Sequence, residues 1–166
     1  MNHFCKSLLT VAGMLSSAIA VQAELVAHFD MSLDNGCIRE SVSGERFAVE
    51  GNFAPADVDG AVGKALVFDG YTSRGDARLG NILGENATAM TVSMWVALPC
   101  YPIIQIDTQT TEMTAIASCL DTESKSGFGF FIGFDGKYSF RTYVSGWPVR
   151  IDVDRSLPVY QWNHLV

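Results

Sequence analysis

Residues 128–142 read FGFFIGFDGKYSFRT, and this stretch gives the clearest indication of the fold class. Apolar and small or polar residues alternate on both sides of Asp135-Gly136, which is the pattern of two strands that each bury one face. Asp-Gly is a favoured two-residue hairpin turn because both positions tolerate positive φ. The stretch therefore predicts an antiparallel hairpin whose buried faces carry Phe128, Phe130, Ile132, Tyr138, Phe140 and Thr142.

Short apolar runs of the same kind occur on either side of this hairpin, and turn-forming residues separate them. No long helical pattern follows residue 23. The runs lie at residues 25–29, 47–49, 65–68, 90–98, 115–118, 149–153 and 162–166. They predict an all-β, two-sheet sandwich or barrel, with Trp95 and Trp162 in its core. Because the last run ends with the chain, we expect the sandwich to be incomplete at its C-terminus.

The first 23 residues have the features of a cleaved signal peptide. Lys6 provides a positive charge, residues 8–21 are uncharged and apolar, and Val21-Gln22-Ala23 places small residues before a cleavage site at Glu24. The alternative, a membrane anchor, needs roughly 20 apolar residues, which this stretch does not reach. The sequence therefore predicts an exported protein, whether periplasmic, cell-surface or secreted, with one domain at residues 24–166.

The predicted mature chain is acidic and has an odd number of cysteines. It holds 10 Lys and Arg against 18 Asp and Glu, a net charge of −8, which argues against nucleic acid or an anionic membrane as a partner. Cys37, Cys100 and Cys119 remain after cleavage, so at least one is unpaired. The sequence leaves open whether Cys100 and Cys119 form a disulfide or are simply small apolar residues.

Three motifs in order along the chain carry a resemblance to a known superfamily. GKALVFDG at 63–70, MTVSMWV at 90–96 and LPVYQWNHLV at 157–166 resemble the laminin-G-like, concanavalin A-like jelly-roll domains. More narrowly, the chain resembles the N-terminal sandwich domain of exported bacterial glycoside hydrolases, including fructan-cleaving members of family 32. The resemblance implies a two-sheet antiparallel jelly roll.

The same resemblance implies a function. It points to a non-catalytic carbohydrate-binding or accessory domain of a secreted carbohydrate-active enzyme, whose partner is a glycan or an adjacent catalytic domain. Two alternatives stay open: a cell-surface adhesion module, and a sandwich-fold hydrolase or lyase whose site lies in missing strands.

Aromatic residues in or next to loops are the candidates for glycan binding, because sugars stack on exposed aromatic rings. Trp147 is the strongest, since Ser145-Gly146 places it at a turn. The other candidates are Tyr71, Tyr101, Tyr143 and Tyr160. The alternative for Trp147 is that it covers an edge of the sandwich.

Oxygen donors near the first predicted strand are the candidates for a structural calcium ion, which the superfamily often carries. Calcium prefers six to eight oxygen ligands. Asp30, Asp34 and Glu40 follow that strand, and Asp69 ends the GKALVFDG run. Their spacing matches no EF-hand, and the alternative is that they cap loops.

Residues for catalysis by this chain itself are few. Asp152 and Asp154 share one strand face, but Arg150 and Arg155 flank them. A salt-bridged surface is the simpler interpretation. His28 and His164 are the two histidines of the predicted mature chain, and the sequence places no Ser-His-Asp set around either.

Overall fold

The computed structural model describes residues 24–52, 54–77, 89–102 and 113–166. The predicted signal peptide lies outside them. The described residues form eleven β-strands and no helix, so the all-β prediction is confirmed. The strands are β1 (Cys37–Arg39), β2 (Arg46–Glu50), β3 (Ala56–Asp59), β4 (Lys64–Val67), β5 (Arg74–Gly75), β6 (Met94–Ala97), β7 (Thr114–Ser118), β8 (Phe128–Ile132), β9 (Lys137–Val144), β10 (Trp147–Ser156) and β11 (Trp162–Leu165).

The predicted hairpin is the centre of a four-stranded antiparallel sheet with the order β10-β9-β8-β7. Phe130 lies opposite Phe140 and Ile132 opposite Tyr138, as the alternation predicts. The turn is longer than expected. The Gly136 N–H donates to the Gly133 carbonyl, and Gly136 takes a φ of 77°. This is a type I turn followed by a left-handed residue, the usual form of a three-residue hairpin loop.

A second, tighter turn joins β9 to β10. Ser145 and Gly146 have φ values of 51° and 77°. Positive φ at both central residues is the requirement of a type I′ turn, which matches the twist of paired strands. Trp147 is therefore the first residue of β10, opposite Val144, rather than part of the turn.

Strands β6 and β11 form a two-stranded sheet that packs against the apolar side of β8 and β9. Burial alternates along residues 91–97 as predicted, but the strand is confined to its second half, Met94–Ala97. A buried cluster joins the two sheets through Ile132, Leu157 and Leu165, with Met94, Val96, Leu98, Tyr101, Ile116 and Tyr138 around it.

The expectation that Trp95 is a core residue is wrong. Its side chain is 46 % exposed, and its ring stacks on His164 of β11 at 4.7 Å between centroids. Trp95 and His164 lie opposite each other on the outer face of this pair of strands, because Met94 and Val96 occupy the inner face. Trp162 is partly buried.

The N-terminal part departs most from the expectation. Residues 25–28 form no strand, and Phe29 makes one isolated bridge with Glu40. Strand β1 instead lies between the predicted runs at 25–29 and 47–49, and it pairs with β2. The His28 N–H donates to the Glu40 carboxylate, and the opposite segment turns at residues 41–43, so the pairing does not continue along residues 25–28.

A second buried cluster holds β1, β2 and β4 together. Ile38, Phe47 and Val49 are its buried members, and Phe29, Leu33 and Leu66 pack against them. The predicted strands at 47–49 and 65–68 correspond to β2 and β4. Cys37, Cys100 and Cys119 are all free thiols, so the structure contains no disulfide between Cys100 and Cys119.

Candidate ligand-binding face

The two sides of the four-stranded sheet differ sharply in chemistry. Directly opposite residues of antiparallel strands share a face, and successive residues alternate between faces. The register therefore assigns each side chain of β8, β9 and β10 to one side. One side carries Phe128, Phe130, Ile132, Tyr138, Phe140, Val149, Ile151 and Val153. The other side, called here the polar face, carries Phe131, Ser139, Arg141, Tyr143, Arg150 and Asp152.

Arg141 lies at the centre of the polar face and is held by an aromatic ring. Its guanidinium carbon is 4.7 Å from the centroid of the Phe131 ring. The ring can lean there because residue 129 is glycine, and a Cβ at that position would come within 2.6 Å of the Phe131 ring. The Nε atom of Arg141 is buried, and among the residues that the structure describes it has no hydrogen-bond partner. A buried donor without a partner is rare, since native structures pair most such groups.

One edge of the polar face is open to solvent. Arg150 and Asp152 form an ion pair with 2.6 Å between Nε and Oδ1, and their side chains are 53 % and 59 % exposed. Tyr143 is partly buried and lies opposite Pro148. Further in, Ser139 is fully buried and donates to the sulfur of Met113. The face therefore runs from a covered end to an accessible end.

The structure separates the predicted glycan-binding residues. Tyr143 lies on the polar face, whereas Trp147 lies on the opposite side of the sheet and is 75 % exposed. Tyr71 and Tyr160 are exposed in other loops. Tyr101 is part of the buried cluster, and its hydroxyl donates to the Leu157 carbonyl at 2.9 Å.

Two of the predicted calcium ligands line one surface depression of about 350 Å³. Asp30 and Asp34 lie there together with Arg39 and Arg46. Arg46 forms an ion pair with Asp34 at 2.8 Å, so a guanidinium already occupies the position where this carboxylate would meet a cation. Asp30 accepts the N–H of Ser32 in a local turn.

Glu40 lies apart from that depression and caps its own loop. Its carboxylate accepts backbone N–H groups from His28 at 2.7 Å, from Val42 at 2.8 Å and from Ser43. Burial raises the pKa of Glu40, but these hydrogen bonds outweigh it and lower the pKa to about 2. The carboxylate is therefore ionised, and its oxygens are already used.

Asp69 caps a second loop in the same way. It accepts the Thr72 hydroxyl and the N–H groups of Ser73, Tyr71 and Thr72, and these bonds hold the pKa of Asp69 well below its usual range. The four predicted calcium ligands thus lie in three places: Asp30 and Asp34 share one depression, and Glu40 and Asp69 each cap a loop of their own. Across residues 24–52, 54–77, 89–102 and 113–166, no three His, Cys, Asp or Glu side chains are grouped to hold a metal ion.

The carboxylates considered for catalysis are paired with cations. Asp152 bonds to Arg150, and Asp154 bonds to Lys137, which lowers the pKa of Asp154. A general acid needs the opposite, a raised carboxyl pKa. His164 lies 2.8 Å from the Ser93 hydroxyl through Nε2, and its ring stacks on Trp95.

Sequence reasoning did not find Phe131 and Arg141. Both lie in the hairpin that it predicted, on the side opposite to the apolar one. The signal was the spacing of Gly129 and Phe131 on one strand and Arg141 on the next. This spacing can be recognised only when the register of the two strands is known, because the register places Arg141 opposite Gly129.

Comparison with known proteins identifies no relative. The chain matches no protein-family model, no curated protein and no solved structure. Within the described part of the chain, no helix has the length and apolar character needed to cross a membrane.

Proposed function

We propose that this chain is a non-catalytic glycan-binding domain of an exported protein, and that the polar face is its binding surface. The domain would be a two-sheet jelly roll of the concanavalin A-like kind that the sequence motifs resemble. The single observation that carries the proposal is the guanidinium of Arg141 over an aromatic ring, with its buried Nε atom unpaired among the described residues.

The chemistry of the face suits a sugar. Arg141 offers N–H donors that a sugar hydroxyl or carboxylate can accept, and the ring of Phe131 holds the guanidinium plane in a fixed orientation. Tyr143 supplies an aromatic surface for the apolar side of a pyranose. Asp152 supplies an acceptor for sugar hydroxyls at the open end.

A binding role fits the carboxylates better than a hydrolytic one. Retaining glycosidases use a nucleophile and an acid whose carboxyl groups lie about 5–5.5 Å apart, with the pKa of the acid raised. Here Asp152 and Asp154 each form an ion pair, and the Lys137 ammonium lowers the pKa of Asp154. The proposal therefore gives the chain recognition without bond cleavage. A parent glycoside hydrolase stays an expectation from the resemblance.

Calcium is not needed for this proposal. The predicted ligands are not among the side chains of the polar face, and Arg46 and the loop N–H groups compete for three of them, Asp34, Glu40 and Asp69. The structural calcium ion thus stays a prediction that rests on the resemblance.

The direct test is a glycan array probed with the fluorescently labelled protein, once with calcium and once with EDTA. We expect binding to a restricted set of oligosaccharides in both conditions. Absence of binding to any glycan would overturn the proposal, and binding seen with calcium alone would move the site to the carboxylate loops.

A further inference from the structure

Strand β10 lies at one edge of the four-stranded sheet formed by the described residues. Within the described residues it pairs with β9 on one side and with no strand on the other. Arg150, Ile151 and Asp152 at its centre are all exposed, Ile151 by 57 %. An exposed edge presents unpaired N–H and C=O groups, which are a template for pairing with another strand.

The direction of the backbone groups along β10 follows from the turn that precedes it. In a two-residue turn the flanking residues, Val144 and Trp147, form a hydrogen-bonded pair. The pattern alternates along an antiparallel ladder, so Val149, Ile151 and Val153 direct their N–H and C=O groups to β9. Arg150 and Asp152 direct theirs outward.

The sequence of this edge is complementary to itself in one antiparallel register. When two copies of β10 pair with Ile151 opposite the partner's Ile151, Arg150 lies opposite the partner's Asp152. Val149 then lies opposite the partner's Val153. Each of these pairs occurs twice, because a two-fold interface is symmetric. Opposite charges directly across a strand pair are stabilising.

The neighbouring registers lose this match. Centring the pair on residue 150 places Arg150 against the partner's Arg150, and centring it on residue 152 places two aspartates together. The register at residue 151 also keeps the apolar side chains of both copies on one side of the combined sheet, since opposite residues share a face.

We propose that the protein self-associates as a symmetric dimer through antiparallel pairing of β10 with the partner's β10, centred on Ile151. Pro148 lacks an N–H, and the ladder to β9 shifts register between Val153 and Ser156. Both features confine the pairing to about five residues. The interface is therefore small, and we expect a weak dimer of the kind found below about 1,200 Å² of buried surface.

The dimer does not require the proposed glycan binding, although Asp152 belongs to both, and dimerisation would change the consequences of binding. Arg150 and Asp152 belong to the polar face, so pairing joins the two polar faces into one continuous surface across eight strands. Two sites on one rigid sheet would bind a repeating glycan with avidity beyond that of a single site.

Sedimentation velocity over a concentration series tests the pairing. The wild-type protein should show a monomer–dimer equilibrium. In the Arg150→Asp variant, the aspartates at 150 and 152 of one copy face those at 152 and 150 of the other. In the Asp152→Arg variant, arginines face each other at the same positions. Each variant alone should dimerise at least about tenfold more weakly. An equimolar mixture of the two variants should restore the dimer, because each now complements the other.

A charge-exchanged protein keeps the test valid if either single variant unfolds. The double variant Arg150→Asp and Asp152→Arg preserves the pairing within one chain and between chains, so it should dimerise like the wild type. Arg74→Asp, a charge reversal of equal size on β5, is the matched control and should leave the dimer unchanged. A monomeric wild type, or single variants that dimerise as well as the wild type, would overturn the proposal.

Discussion

The ring of Tyr101 lies directly against the backbone of Gly136, so closely that a Cβ at position 136 would come within 2.4 Å of ring atom Cε1. The phenol hydroxyl continues past the turn and donates to the Leu157 carbonyl. Tyr101 thus contacts both the turn between β8 and β9 and the segment before β11. This contact explains why Tyr101 is a packing residue although the sequence places it beside a loop.

Gly136→Ala should therefore be far more damaging than a comparable change in the next turn. Alanine at 136 meets both a φ of 77° and the Tyr101 ring. We expect the free energy of unfolding to fall by about 3 kcal/mol or more, because the left-handed backbone strain and the overpacking act together. Urea unfolding measures it.

Gly146→Ala is the matched control. Gly146 has the same φ of 77°, but a Cβ there would have no atom of the described residues within 4 Å. We expect its free energy of unfolding to fall by about 1–2 kcal/mol, from the backbone strain alone. Equal losses for the two variants would show that Tyr101 does not press on this turn.

Glu40 should make the free energy of unfolding depend on pH between about 4.5 and 2. Its pKa is about 2 in the folded protein against an ordinary 4.5. A lowered pKa means that the stabilisation is complete above about pH 4.5 and is lost as the pH falls toward 2.

Glu40→Gln isolates this effect, because every other titrating group is common to both proteins. We expect its Tm to lie about 5 °C or more below the wild type at pH 7, and the difference to shrink between pH 4.5 and 2. Differential scanning calorimetry at several pH values measures it. A difference that stays constant across that window would contradict the role of the ionised carboxylate.

Asp69→Ala should loosen the loop at residues 69–73, since five hydrogen bonds end on this carboxylate. We expect Tm to fall by about 5 °C or more. Asp59→Ala is the control, because Asp59 forms an exposed ion pair with Lys64 at 3.0 Å. Its Tm should stay within about 1 °C of the wild type, and a comparable fall in both variants would rule out a special role for Asp69.

Local alternation was sufficient to predict the central hairpin and several strands. Phe130 opposite Phe140 follows from a period of two on each side of one turn. The failure at residues 25–29 has a different origin. Leu25 and Phe29 alternate like strand residues. The buried Glu40 carboxylate, which is distant in sequence, accepts the backbone N–H of His28 in this segment. Such a long-range capping contact leaves no local pattern.

The candidate site was harder to predict than the fold. Trp147 and Tyr143 are four residues apart around one turn, yet the register places them on opposite sides of the sheet. Arg141 draws attention only through its position on Phe131 and opposite Gly129. Both facts depend on the register between strands. The periodicity of a single strand gives no information about that register.

Arg141 on the polar face is the residue that we propose binds the glycan. The most direct measurement is isothermal titration of the best array ligand into the wild type, Arg141→Ala and Arg74→Ala. Arg74 is an exposed arginine of β5 paired with Glu50, so its loss controls for charge. We predict that Arg141→Ala weakens binding about tenfold to a hundredfold, as loss of charged hydrogen bonds does, while Arg74→Ala binds like the wild type. Unchanged affinity in a folded Arg141→Ala protein would contradict the account.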